Sequence, residues 1–242
     1  MDQNESRTRS TRACRCSSAA RHRPLHVPGR ALRPAGRAPA PAARARPHAQ
    51  PVVPGGSPDS VAVIAKNDVN PLVIPTTSLD LSLEVARTYT QLRAEAGHRG
   101  GVNTKLALWT YVAETEEDAR AGAEQFMVEY ADSALRHYEM RGTHLKDLKG
   151  YERYGALSDM LRQDASPFLN GFFNSHPWGT PDQTIARATE LAEAFGTNEI
   201  MFIFKYGSMP IDKALASMRL FAKEVMPALK ELNPLPLEPA MA

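Results

Sequence analysis

Beyond residue 51 the hydrophobic positions keep changing rhythm. Short unbroken apolar runs, the mark of strands covered on both faces, alternate with stretches where apolar residues recur every three or four positions. Val52-Val53 is a β-branched stub. Gly55-Gly56-Ser57-Pro58-Asp59-Ser60 predicts a turn into a helix through about Lys66, with Ser57 as N-cap and Pro58 in the first turn. Leu72-Val73-Ile74, between Pro71 and Pro75, reads as a buried strand. Val85, Tyr89, Leu92 and Ala96 define one face of a helix over about 81–96, which Gly97 ends.

The run from Leu106 to Ala113 predicts a further strand. Thr115 then caps an acidic first turn, Glu116-Glu117-Asp118, and the helix continues to about Tyr138. Residues 141–178 show no clear period and are expected to be an irregular excursion, a length that is usually functional or partly helical. Thr180-Pro181-Asp182-Gln183 is a capping box opening a helix that stops at Gly196. Ile200–Phe204 predicts another fully buried strand. Ile211, Leu215, Met218, Phe221, Val225, Leu229 and Leu232 predict one apolar stripe on a last helix, kinked by Pro227. Strictly alternating units imply an α/β fold with a parallel sheet and right-handed crossovers. Three to four strands are about half of a (β/α)₈ barrel; a doubly wound open sheet is the alternative.

Composition separates the first fifty residues from the rest. They hold 11 Arg, no Lys, two acids and no Phe, Trp or Tyr, whereas residues 51–242 hold 18 basic and 25 acidic residues. The net charge of +2 is therefore the sum of +9 and −7, and a nucleic-acid reading based on the total is misplaced. Residues 1–50 lack the apolar content to offset the entropy of ordering and are expected to be a disordered extension. A transit peptide, an arginine arm and a non-native extension compete for them, and the last is preferred. The expected division is 1–50 extension, 51–232 folded domain and 233–242 flexible, proline-containing tail. The only cysteines, Cys14 and Cys16, have no second pair to make a zinc site, and a reducing, cytoplasmic setting fits. No run approaches 18 apolar residues, so no membrane helix is expected.

Chemistry-bearing motifs are few. His98, His137, His144 and His176 lack metal-ligand spacing, and no metal site is expected. There is no Gly-x-Gly-x-x-Gly, P-loop or Gly-x-Ser-x-Gly. Gly150-Tyr151-Glu152-Arg153-Tyr154 is an aromatic anchor or a cover for a substrate mouth. Thr76 and Thr77 follow a strand and so lie at its active end, where turn chemistry explains them as well as ligand contact does. Trp109 and Tyr111 read as core.

Several segments together resemble one family. Gly56-Ser-Pro-Asp-Ser60, Asn70-Pro-Leu-Val-Ile-Pro75, Tyr111-Val-Ala-Glu-Thr-Glu-Glu-Asp-Ala-Arg120, Trp178-Gly-Thr-Pro-Asp-Gln183, Asn198-Glu-Ile-Met-Phe202 and Met218–Leu229 resemble, in order and spacing, the carboxy-terminal half of luciferase-like flavin monooxygenases. The resemblance implies a TIM (β/α)₈ barrel of the bacterial luciferase type, truncated to roughly that half. It implies a monooxygenase using reduced FMN, or a deazaflavin-dependent oxidoreductase of the same fold, with dioxygen and a small-molecule substrate. A flavin reductase is an expected partner, and no nucleic acid or membrane is. It also assigns Ser57 and Ser60 to the FMN phosphate; the ordinary alternative is an N-cap and a solvated first-turn residue. No catalytic residue is assigned. A missing half barrel favours a non-catalytic flavin-binding remnant as the competing reading. It would also leave an open edge near Val52-Val53 and an exposed inner sheet face, so self-association is expected.

Overall fold

The computed structural model describes residues 52–54, 57–76, 78–102, 104–142, 152–237 and 239. The extension expected at 1–50 lies outside them, as do Thr77, His144, Gly150 and Tyr151.

Four parallel strands form the main sheet: β1 (Val52–Pro54), β2 (Asn70–Val73), β3 (Lys105–Trp109) and, after a long interval, β6 (Ile200–Ile203), in the order β1-β2-β3-β6. The helix α1 (Pro58–Lys66) links β1 to β2, and α2 (Leu79–Glu95) links β2 to β3. The strand β3 breaks for one residue at Thr110 and resumes as β4 (Tyr111–Val112), which pairs in parallel with β5 (Trp178–Gly179). Between β4 and β5 lie α3 (Glu116–His137), α4 (Glu152–Gln163) and α5 (Ser166–Ser175); α6 (Pro181–Ala194) leads to β6. The chain continues as α7 (Ile211–Leu220), a π-helical turn (Phe221–Val225) and α8 (Met226–Lys230).

Residues paired across parallel strands point to the same face. On one face, called outer, Val53, Val73, Leu106, Leu108, Ile200 and Phe202 meet α1, α2, α6 and the α7–π segment. Leu106 and Leu108 are fully buried there, each contributing roughly 1.5–3 kcal/mol. Strands added in chain order, with these helices on one side, make a singly wound sheet. The doubly wound alternative requires a reversal of strand order and helices on both faces. On the inner face stand Val52, Pro54, Asn70, Leu72, Lys105, Ala107, Trp109, Met201 and Ile203.

The local signals explain most boundaries. Ser57, Thr115 and Thr180 each accept a bond from the backbone three residues on, and the Thr180–Gln183 capping box is complete. Four expectations need correction. The excursion is not irregular: α4 and α5 occupy much of it. The strand at 200–203 is not fully buried, because it is an edge strand whose inner-face Met201 is 56% exposed. The stripe on the last helix divides: Phe221 and Val225 are buried with Ala214 and Ser217, while Ile211, Leu215 and Met218 face outward at 61%, 37% and 45% exposure. The tail does not fray as far as Leu237, whose carbonyl accepts from Val102 N–H at 3.1 Å and whose side chain joins the Leu191–Phe195 cluster.

Pro227 acts as expected, by a specific route. It lacks an N–H and crowds the preceding turn, and the ladder shifts register just before it: Met226 N–H donates to the Phe221 carbonyl, five residues back. Among the described residues no helix is long and apolar enough to cross a membrane.

Candidate functional site

The carboxy-terminal ends of parallel strands are where such sheets place chemistry, because helix N-termini and loops converge there. After β1 comes the start of α1. Ser57 holds an extended backbone (φ −83°, ψ 148°) and its Oγ accepts from Ser60 N–H at 3.3 Å. The two hydroxyl oxygens lie 2.8 Å apart, on a solvent-accessible turn. Ser57 is thus a working N-cap, and Ser60 adds a second hydroxyl beside it. A helix N-terminus with two hydroxyls suits an anion such as a phosphate. The Asp59 carboxylate in the same turn opposes that, since it competes for the positive end of the helix. After β2, Thr76 is exposed.

After β3 the chain enters an aromatic cluster. The Trp109 ring centroid lies 5.1 Å from Tyr130, 5.4 Å from Phe172 and 5.2 Å from His176. Phe172 and Phe173 bind the carboxy-terminal end of the excursion to α3. Glu152, Arg153 and Tyr154 lie in or at the start of α4. Trp109 and Tyr111 are core: Tyr111 lies against Gly122, where any Cβ would meet its ring at 2.2 Å. The Thr110 break is held on both sides, by Thr110 N–H to the Ile203 carbonyl at 2.9 Å and by Tyr206 Oη donating to the Thr110 carbonyl at 3.3 Å. Burial drives the Tyr206 phenol upward, so it stays a donor. Ser217 Oγ accepts from Val112 N–H at 2.8 Å, tying α7 to β4.

His176 is a residue that spacing arguments leave without a role. It is 1% exposed, sits edge-on to Phe172 at 4.3 Å, and neither ring nitrogen makes a well-formed hydrogen bond among the described residues, the Pro75 backbone being the polar group that acts on the ring. Burial, reinforced by the Arg187 charge, pushes its pKa down to about 3, so the ring is neutral at ordinary pH. Trp109 Nε1 is also buried without a partner. No sequence signal marks the pair, because the contact joins β3 to the end of α5. Of the other histidines, His98 Nε2 lies 3.1 Å from the Lys66 carbonyl and His137 sits edge-on to Tyr138. Among the described residues no cluster of His, Cys, Asp and Glu could hold a metal.

Comparison with solved structures places this architecture. The monooxygenase RslO1 from Streptomyces bottropensis superposes with a TM-score of 0.64 at 20% identity, over 94% of this chain and 63% of that one. EDTA monooxygenase (EmoA) from Chelativorans sp. BNC1 gives 0.53 at 16%, over 90% and 56%. The oxygenating constituent of 3,6-diketocamphane monooxygenase from Pseudomonas putida, a type II Baeyer–Villiger monooxygenase in complex with FMN, gives 0.52 at 21%, over 77% and 50%. This chain spans between half and two thirds of the length of these proteins. No curated protein sequence matches it. The family model for luciferase-like monooxygenases matches residues 14–198. That match begins inside the arginine-rich segment, upstream of the Gly56 at which the resemblance read from the sequence stops, and it ends before β6. With more than half of its residues matched, the chain belongs to the luciferase-like monooxygenase family.

Proposed function

We propose that the folded part of this chain is a sector of a (β/α)₈ barrel that binds the phosphate of FMN at Ser57 and Ser60, in a monooxygenase acting on a small organic substrate. The observation that carries the reading is the hydroxyl pair, 2.8 Å apart, at the N-terminus of α1 and the carboxy end of a singly wound parallel sheet. The FMN in the diketocamphane enzyme supports FMN over a deazaflavin. Bound reduced flavin supplies the activation of dioxygen. The residues of this chain do the rest: the turn at Ser57 fixes the phosphate, and the Trp109–Phe172–His176 cluster keeps water from the carboxy end of β3. The neutral His176 adds no charge there. Dioxygen and a flavin reductase complete the proposed partners, and the absence of cysteine after Cys16 suits a cytoplasmic setting. The domain division is residues 1–50 as an extension and the barrel sector from residue 51.

The test is flavin titration into the full chain, read by flavin fluorescence, with FMN and riboflavin in parallel. Charge-assisted bonds of about 1.5–3 kcal/mol make Ser60→Ala weaken FMN at least about tenfold and leave riboflavin unchanged. Ser57→Thr, which keeps the cap, controls for loss of the helix start. Equal FMN affinity in Ser57→Ala, Ser60→Ala and the parent removes the phosphate assignment. FMN binding without substrate-dependent oxygen consumption identifies the chain as a flavin-binding remnant.

A further inference from the structure

At the carboxy ends of β2 and β3 stand polar atoms that the fold itself leaves unmatched. Trp109 is the last residue of β3, in register with Ile203 of β6, and its ring meets His176, which follows α5, at a centroid distance of 5.2 Å. Trp109 Nε1 and both ring nitrogens of His176 are buried, and none makes a well-formed hydrogen bond among the described residues. Phe172 packs on both rings, at 5.4 Å from Trp109 and 4.3 Å from His176. Polar groups held without partners in such surroundings are destabilising and ask for an explanation. The other unmatched side-chain atoms, on Tyr89, Thr104, Ser158 and Thr184, are hydroxyls, which both donate and accept and adapt by rotation. Ring nitrogens have no such freedom, because the ring plane fixes their direction.

The chemistry of the two rings decides what they offer. Burial and the Arg187 charge push the His176 pKa down to about 3, so the imidazole is neutral. A neutral imidazole has one N–H donor and one bare acceptor nitrogen. The polar backbone group acting on the ring belongs to Pro75, at the end of β2. Proline has no N–H, so that group is a carbonyl and takes the donor side of the ring. The second nitrogen is left as an acceptor. Trp109 Nε1–H is a donor only. The pair therefore presents one donor and one acceptor. A ketone or ether oxygen satisfies Trp109 and leaves His176 unmatched. A carboxylate does the same and adds a charge. A hydroxyl satisfies both from a single atom. Around the pair stand Tyr130, Phe172 and Tyr206, with Ile74 and Ile203 partly buried against the cluster. Apolar walls with a few fixed polar groups are the ordinary make-up of a small-molecule site, and aromatic walls suit a flat ring.

We infer that Trp109 and His176 form a recognition site for a neutral hydroxyl on an aromatic substrate, that is a phenol, which accepts from Trp109 Nε1–H and donates to the bare nitrogen of His176. The nitrogens are covered in this structure, so admission requires a ring of the cluster to rotate, a common adjustment on binding. The inference rests on the reading of the carboxy end as the substrate side of a monooxygenase, and it names the class of substrate.

Nitrogen–proton NMR of the full chain, titrated with phenol, anisole and toluene without flavin, tests it. The Trp109 indole N–H signal is the one lost in Trp109→Phe. Phenol shifts this signal and binds at least about tenfold more tightly than anisole, which only accepts, or toluene, which has the same shape and neither donates nor accepts. His176→Phe, which keeps a ring and removes the nitrogens, abolishes the preference. The comparison of the three probes on the unaltered chain needs no variant to fold and decides the matter if His176→Phe does not fold. Equal affinities for the three probes, or a Trp109 signal that phenol leaves in place, overturns the inference. So does a phenol preference that survives in His176→Phe. A Trp109 N–H in contact with a bound water at every phenol concentration identifies that water as the occupant and overturns it as well. FMN affinity unaffected by Ser57→Ala and Ser60→Ala, with the phenol preference intact, removes the phosphate assignment and supports this site.

Discussion

The two faces of the main sheet are made by alternate residues of the same strands, yet they live in different surroundings. On the outer face, Leu106 and Leu108 of β3, with Ile200 and Phe202 of β6, are packed under α2, α6 and the π-helical turn. On the inner face, Met201 lies between Ile200 and Phe202 in sequence and is largely exposed. Hydrophobicity along β6 is uniform, so composition cannot distinguish the faces. The winding does: the crossovers considered above lie on one side, and this chain supplies cover to that side first. The outer face is therefore the stabilising half of the sheet, and the inner face is less evenly covered among the described residues, buried at Ala107 and Trp109 and exposed at Val52 and Met201.

The largest expected difference between the faces is in stability. Leu108→Ala on the outer face costs about 2–5 kcal/mol, because it opens a cavity in rigid surroundings. Met201→Ala on the inner face costs less than about 0.5 kcal/mol in dilute solution. Urea unfolding of both variants at the same low concentration measures this, and comparable losses would erase the distinction.

A second effect lies in pH. The folded pKa of His176 lies below its unfolded value, so the unfolded chain binds the proton first. Its contribution is complete above about pH 6.5 and declines as pH falls toward the folded value near 3. At pH 4 the loss relative to neutral pH is about 3 kcal/mol. His176→Phe flattens this part of the stability curve. An unaltered acid slope in that variant means that the ring is not the titrating group.

Smaller, and confined to the outer side, is the link between α7 and the strand end. Ser217→Ala leaves the buried Val112 N–H without its acceptor and costs about 1–3 kcal/mol. Hydrogen exchange should speed at Val112 and leave Leu106 unchanged. Faster exchange at both would mean that α7 and the sheet open as a single unit, and the two regions would then not be separable.

Legibility in the sequence followed the range of the interaction. Caps at Ser57, Thr115 and Thr180 are local chemistry, written within four residues, and could be read directly. The helix α5 was readable in principle: Ser166-Pro167 opens it, and Phe168, Leu169, Phe172 and Phe173 lie on one side. Its N-cap residue, Ala165, makes no side-chain bond, the Ser166 N–H donating instead to Asp164 Oδ1 at 2.9 Å, and Gly171 interrupts it, so the start signal sits one residue early. The division of the last helix into a buried and an exposed row depends on what stands beside it in space, and no spacing rule carries that. At the candidate site, Ser57 and Ser60 were visible as a motif, while the His176–Trp109 contact was not.

The seam between Leu237 and Val102 has a practical side. Val102 precedes β3, so the chain at Leu237 lies at the amino end of the sheet, opposite the turn at Ser57. The seam is tight: a Cβ at Gly196, which holds φ +56°, would come within 2.5 Å of the Leu237 nitrogen. Whatever is attached beyond Leu237, whether a purification tag, a surface tether or a fused domain, starts its path from the amino end of the sheet. A sensor chip that grips the protein there presents the hydroxyl pair to the flowing solution, so flavin capture can be read with the chain fixed in one orientation.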